Sequence, residues 1–249
     1  GFARWGFSAY PSQIKLLDID NHGGAFMGIS KDDTSSHIIS LPGLAKAIKA
    51  STGKVDILNM DACLMSSIEV MYELRDVADV MIGSEDSTLG TGMLYAKALP
   101  DIIANSKNNN EIAKGILLAS DRQGKDFHRR PNKKGRIPQV FTISAIKGQA
   151  VKPLVNEMNI LSKMLMEKVV KEKQAIATAI NNTHPLSVDE DDLGGQRDLH
   201  EVLNRLNMIM GKDIKSQISR VRASLNKTIV LSRSHNVEKF AQGLAINIS

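Results

Sequence analysis

Residues 55–86 read VDILNMDACLMSSIEVMYELRDVADVMIGSED, and they contain the unit that decides the fold. Val55, Ile57 and Leu58 form an apolar run bounded by charge, the pattern of a strand buried on both faces. Leu64, Ile68, Met71 and Tyr72 then recur at i, i+4, i+7 and i+8, so residues 64–75 predict a helix beginning directly after Cys63. Residues 77–84 (VADVMIGS) are a second apolar run. Strand, helix and strand in this order predict parallel pairing through a right-handed crossover.

The same alternation extends outward. Residues 13–20 (QIKLLDID) predict a strand that stops at the turn formers Asn21, His22, Gly23 and Gly24. Residues 40–51 predict a helix with Ser40 as N-cap, Pro42 in its first turn and Gly53 beyond its end. Downstream, the pattern predicts helices over 93–105 and 111–120, a strand over 139–145, and a long amphipathic helix or a broken pair over 151–181. Two further helices and short strands over 228–232 and 244–248 close the chain. The expected architecture is α/β, a mostly parallel sheet with helices on both faces. One domain is expected over 1–249, with a basic loop at 122–138 and an acidic loop at 188–196 as surface insertions.

Composition narrows the function. With 249 residues, 42% apolar and 24% charged, the chain can bury roughly three quarters of its unfolded surface, which excludes disordered, collagen-like and coiled-coil classes. Aromatics are only 4% while Met occurs 11 times, so aliphatic and Met side chains must fill the interior. No window approaches the roughly 18 apolar residues that cross a bilayer, and residues 1–10 lack the order of a signal peptide, so no membrane partner is expected. Cys63 is the sole cysteine, which excludes an internal disulfide and a multi-thiolate zinc site. The net charge of +5 permits an anionic partner, but much of the excess sits in one loop, DRQGKDFHRRPNKKGR at 121–136, rather than in a basic stripe with interleaved aromatics.

One pair of positions suggests chemistry. His22 and Cys63 lie 41 positions apart, each just past a predicted strand, and the carboxyl ends of parallel strands share an edge where ligands bind. A free thiol is only about 3% thiolate at pH 7, and a helix N-terminus or an imidazolium raises that fraction. A glycine after the histidine lets a substrate carbonyl approach, so the Gly23 and Cys63 amides could converge on an oxyanion. Each residue also has a plainer reading: a lone Cys packs as a small hydrophobe, and a His before Gly-Gly is a turn residue.

Residues 18–28 (DIDNHGGAFMG) and 55–86 closely resemble the clostripain-like family of cysteine endopeptidases, which share the caspase-type fold with gingipains and legumains. The likeness continues through 84–95 (SEDSTLGTGMLY), 141–145 (FTISA) and 242–248 (QGLAINI). The resemblance implies that Cys63 is the nucleophile and His22 the catalytic histidine of a dyad working through a thioacyl intermediate. It implies that Asp61 floors a pocket for Arg or Lys before the scissile bond, with helix N-cap as the alternative. Glu85 and Asp86, at the next strand end, are candidates for the same pocket or for exposed loop positions. Lys31, in the polar stretch SKDDTSS, is the candidate site of self-processing after a basic residue.

Further expectations follow from the resemblance. The motif requires no cofactor, and no metal ligands are expected among His37, His128, His184, His200 and His235. Ca²⁺ is the one ion left open, because DEDD at 189–192 could attract it, although a solvated acidic loop is the simpler reading. The family has strands ahead of the histidine strand, where this sequence offers about a dozen residues; the expected partners are therefore its own amino-terminal processed chain, or another partner covering the strand edge of a truncated member, beside protein or peptide substrates with Arg or Lys before the cut. Relatives are commonly exported by bacteria, which implies a secreted or cell-surface protein. The competing reading is a silent caspase-like scaffold that binds nucleic acid or acidic proteins through its basic loop; nucleic acid is not the expected partner of the peptidase.

Overall fold

Alternation in the central strands builds two cores. In β2 (Val55–Asp61) Ile57 turns to one face of the sheet and Leu58 and Met60 to the other, all fully buried. β1 (Leu16–Asp20) and β3 (Ala78–Gly83) flank β2, both in parallel. The computed structural model describes residues 1–88, 92, 95–128, 141–186, 195–235 and 240–248. β4 (Phe141–Lys147) runs antiparallel to β3; β5 (Gln196–Asp198) stands apart; and β6 (Ile229–His235) runs antiparallel to β4, giving the order β1-β2-β3-β4-β6. Among the described strands only β4 is reversed, so the sheet is mostly parallel, and β1 forms one of its edges there. β7 (Ala245–Asn247) pairs antiparallel with β5.

Helices cover both faces. α1 (Phe2–Ala9), absent from the sequence expectations, docks against α2 (Leu41–Thr52). α2 and α3 (Ile68–Leu74) bury Leu44, Ile48, Met71 and Leu74 in the core that holds Leu58 and Met60. The opposite face is closed by α4 (Tyr95–Ala104) and α5 (Asn109–His128), whose Ile102, Ile112, Ile116 and Leu117 pack with Ile57, Val80 and Ile82. α6 (Gly148–Asn181), α7 (Leu199–Ile209) and α8 (Lys212–Thr228) extend the first core through Val151, Leu154, Leu203, Ile218 and Leu225. Each fully buried Leu or Ile contributes roughly 1.5–3 kcal/mol, so the strand alternation supplies most of the drive for layering.

Several boundaries differ from expectation. Helix α3 starts at Ile68 behind the N-cap Ser67, whose Oγ accepts from the Val70 amide, and not directly after Cys63. The intervening chain turns at Cys63 and Leu64 and is tied to the neighbouring loop: Leu64 has φ +63° and its amide donates to the Asp86 carbonyl at 3.1 Å, while the Ser66 amide donates to the Ser84 carbonyl at 2.7 Å. Hydrogen bonds to that loop replace those that a helix beginning at Leu64 would make. The 151–181 expectation resolves as the broken pair: α6 is two helical pieces that meet at a kink at Glu172, where φ −120° and ψ 16° are non-helical. Residues 122–128 of the expected basic loop are the last turns of α5, and Gln196 of the expected acidic loop starts β5. Residues 129–138 and 188–194 of these loops lie outside the described residues. Among the described residues, no helix is long and apolar enough to cross a membrane.

Candidate active site

Parallel register aligns two strand ends. Asp20 is the Cα partner of Asp61, and the Asn21 amide donates to the Asp61 carbonyl at 3.4 Å. His22 and Cys63 each follow two residues later, so β1 and β2 deliver them to the same edge of the sheet. Past β1 the chain folds back on itself: the Ser30 amide donates to the His22 carbonyl at 2.8 Å, and the Gly24 amide to the Gly28 carbonyl at 2.9 Å. His22 is exposed, and its amide is held by Asn21 Oδ1 at 2.6 Å. Gly23 packs directly on the backbone of Cys63. Among the described residues, neither the Gly23 nor the Cys63 amide donates an intramolecular hydrogen bond, so both remain available to an incoming oxygen.

Cys63 is half-buried, and its surroundings differ from those expected. The helix N-terminus that the sequence placed at the thiol is occupied by Ser67. The sulfur instead meets Thr88, whose amide donates to Sγ at 3.3 Å and whose hydroxyl lies 3.6 Å away. Thr88 was not singled out in the sequence. It could have been, because it follows the end of β3 on the same sheet edge, by the logic that paired His22 with Cys63.

The acidic candidates part ways. Asp61 closes β2 and is buried; it is not the cap of α3. Its carboxylate converges with that of Asp20 on Gly92: a Cβ built there would lie 3.4 Å from Asp61 Oδ2 and 3.6 Å from Asp20 Oδ2. Gln123 of α5 holds this glycine through its carbonyl at 2.8 Å. Asp86 is buried behind Cys63, its carbonyl bound by the Leu64 amide and its Oδ1 by the Ser87 amide at 2.6 Å. Glu85 turns inward and away from this edge, where its Oε2 accepts the Gly243 amide. Burial, then the charge of Asp198, push the Glu85 carboxyl well above its ordinary range. Asp198, which caps α7 by accepting the Glu201 amide at 2.8 Å, is itself pushed up to about 6 by burial.

The remaining candidates sit elsewhere. Lys31 is exposed at the start of a turn in which Asp32 Oδ1 accepts the Thr34 and Ser35 amides at 2.8 and 3.3 Å. Among the described residues, no cluster of three or more His, Cys, Asp or Glu could hold a metal ion; the acidic run 189–192 lies outside them. His184 pairs with Glu201 and His235 with Asp121, at 2.8 and 2.6 Å, and both are structural ties between elements.

The sequence profile of the clostripain family matches residues 2–244. No curated protein matches the chain. Among solved structures, a secreted cysteine protease from Bacteroides thetaiotaomicron in complex with an irreversible peptide inhibitor superposes with a TM-score of 0.69 at 17% identity, over 98% of this chain and 68% of that one. An inactive zymogen protease from Parabacteroides distasonis gives a TM-score of 0.68 at 19% identity, over 98% and 66%. A clostripain from Bacteroides thetaiotaomicron gives 0.59 at 18% identity, over 88% and 89%. At these identities the structures share the fold, and the family match spans nearly the whole chain, so the chain belongs to the clostripain family of cysteine peptidases.

Proposed function

We propose that the protein is an endopeptidase that cleaves after Arg or Lys with Cys63 as nucleophile and His22 as its proton carrier. The observation that carries the reading is the Asp20 and Asp61 register, which sets the two residues on adjacent strand ends with Gly23 against the Cys63 backbone. The Cys63 proton passes to His22, and Sγ bonds to the substrate carbonyl carbon while the C=O electron pair moves to oxygen. The amides of Gly23 and Cys63, which donate to no described residue, receive that oxyanion. As the carbonyl re-forms, the C–N bond breaks and His22 gives its proton to the leaving amine. Water, deprotonated by His22, then hydrolyses the thioacyl enzyme. Every step draws on side chains and backbone amides alone, so the reaction as proposed needs no cofactor.

Specificity is assigned to Asp61. A buried carboxylate beside the nucleophile's strand end attracts a guanidinium or ammonium group more strongly than a neutral side chain. Asp86 serves the site by fixing the loop behind Cys63, and Glu85 is not a substrate contact in this reading. Applied to the protein itself, the same specificity makes exposed Lys31 the site of self-processing. We extend to this chain the single peptidase domain, an amino-terminal partner segment covering the β1 edge, and export from a bacterial cell, as the secreted relative suggests.

The test compares fluorogenic peptides that differ only in Arg, Lys, Asp or Leu before the scissile bond, with wild type, Cys63→Ala and His22→Ala side by side. Turnover of the Arg and Lys peptides, lost in both variants, is the expected result. Turnover that survives Cys63→Ala overturns the assignment of the nucleophile.

A further inference from the structure

We infer that Thr88 is a catalytic residue of this site, its backbone N–H and its hydroxyl together holding the Cys63 sulfur as the anion that attacks the substrate. The inference rests on the reading of Cys63 as nucleophile and adds the group that activates it.

The helix that should have activated the thiol does not reach it. A helix dipole acts within its first turn, and α3 opens at Ile68 behind the Ser67 cap, beyond a turn at Cys63 and Leu64. Thr88 is on the sulfur instead, with its amide donating at 3.3 Å and its hydroxyl at 3.6 Å. A thiol can donate to or accept from that hydroxyl, but a thiolate can only accept, so ionisation turns both Thr88 groups into donors to one anion. Hydrogen bonds made to the charged form favour that form.

The donors are held in advance. Residues 84–86, which lead into Thr88, are pinned from two sides, which spares the reorganisation that weakens a mobile donor. From β4, Thr142 Oγ1 accepts the Glu85 and Asp86 amides at 3.0 and 3.2 Å and meets Ser84 Oγ at 2.6 Å. From the nucleophile's own loop, the Leu64 and Ser66 amides bind the Asp86 and Ser84 carbonyls. The loop that carries the donors and the loop that carries the sulfur are therefore one hydrogen-bonded unit.

The step balances without a co-reactant. The thiol proton goes to His22, the anion is held by Thr88, and the S–C bond forms as the carbonyl electron pair moves to oxygen. Negative charge then leaves the sulfur, and the Thr88 bonds weaken as the oxyanion contacts strengthen. A more stable thiolate is a somewhat weaker nucleophile, but its population grows faster than its reactivity falls, so the net effect at neutral pH is acceleration.

The test reads the sulfur directly. Cys63 is the sole cysteine, so the rate of alkylation by uncharged iodoacetamide between pH 5 and 9 reports it without background. Thr88→Val keeps the shape and the amide and removes the hydroxyl; its profile should move to higher pH, slowing alkylation at pH 6 by about three- to tenfold. Thr88→Ser should follow wild type. An amide-to-ester exchange at Thr88 removes the N–H alone and should shift the profile in the same direction, and it decides the matter should the valine variant not fold. Profiles that superimpose on wild type in both altered proteins overturn the inference. Alkylation that depends on Thr88 in a protein that cleaves no peptide would overturn the peptidase reading, and the catalytic role with it, while leaving the Thr88 hold on the thiolate standing. Peptide cleavage lost in Cys63→Ala, with profiles indifferent to Thr88, would do the reverse.

Discussion

Glu85 Oε2 accepts the Gly243 amide at 2.6 Å, joining the loop behind the nucleophile to the closing segment of the chain. Asp198 stands beside this bond and accepts the Gln242 amide at 2.8 Å, so two carboxyls share one buried corner. Both have folded-state pKa values above their ordinary ones, so the folded protein binds protons more tightly than the unfolded chain. That contribution to stability is whole below about pH 4 and is lost as pH rises through about 6 for Asp198 and higher for Glu85. Urea denaturation of wild type should therefore show stability falling from pH 4 to 7 by on the order of 2 kcal/mol. Glu85→Gln, which cannot ionise there, should fall less steeply; parallel curves would count against a shared corner.

The Gly23 contact is equally specific. A Cβ at this position would stand 2.1 Å from the Cys63 carbonyl oxygen and 3.0 Å from Ala62 Cβ, so Gly23→Ala must push the histidine loop off the cysteine loop. Displacement of about 1 Å at reacting groups costs on the order of a hundredfold in rate. We expect kcat/KM for an Arg peptide to drop by about that factor in a protein that still melts cooperatively. Full activity would mean that the loop relaxes freely.

Removing the Asp61 charge should change the choice of substrate. Asp61→Asn is expected to cut kcat/KM for Arg and Lys peptides by roughly two to three decades while leaving a Leu peptide nearly unchanged. Equal loss on all peptides would assign Asp61 to holding the strand end instead.

Beneath the site lies a buried hydroxyl pair. Ser66 Oγ and Ser144 Oγ lie 2.7 Å apart and 2.8 and 2.6 Å from the Gly243 carbonyl oxygen, three contacts shared by two hydroxyl protons. Ser66→Ala and Ser144→Ala should each lower unfolding free energy by about 1–2 kcal/mol, and the double variant by less than their sum. Strict additivity would show that the two hydroxyls act independently.

Local pattern along the chain was enough to give the class of the fold and the neighbourhood of the chemistry. Apolar periodicity at 55–58, 64–72 and 77–82 is set by side chains a few residues apart, which is why β2, β3 and most of α3 were legible. The two strand ends bearing His22 and Cys63 were legible for the same reason, and DACLMSSIEVMYELR carried the family. The rest follows from contacts between distant parts of the chain. The start of α3 depends on amides that bond to residues some 18 to 22 positions away, and the thiol's partner on a threonine 25 positions away. The inward turn of Glu85 depends on an amide 158 positions distant, and the reversal of β4 on its pairing with β3. Local pattern reports which residues bury a face; the direction of a side chain at a strand end is set by hydrogen-bond partners that only folding brings within reach.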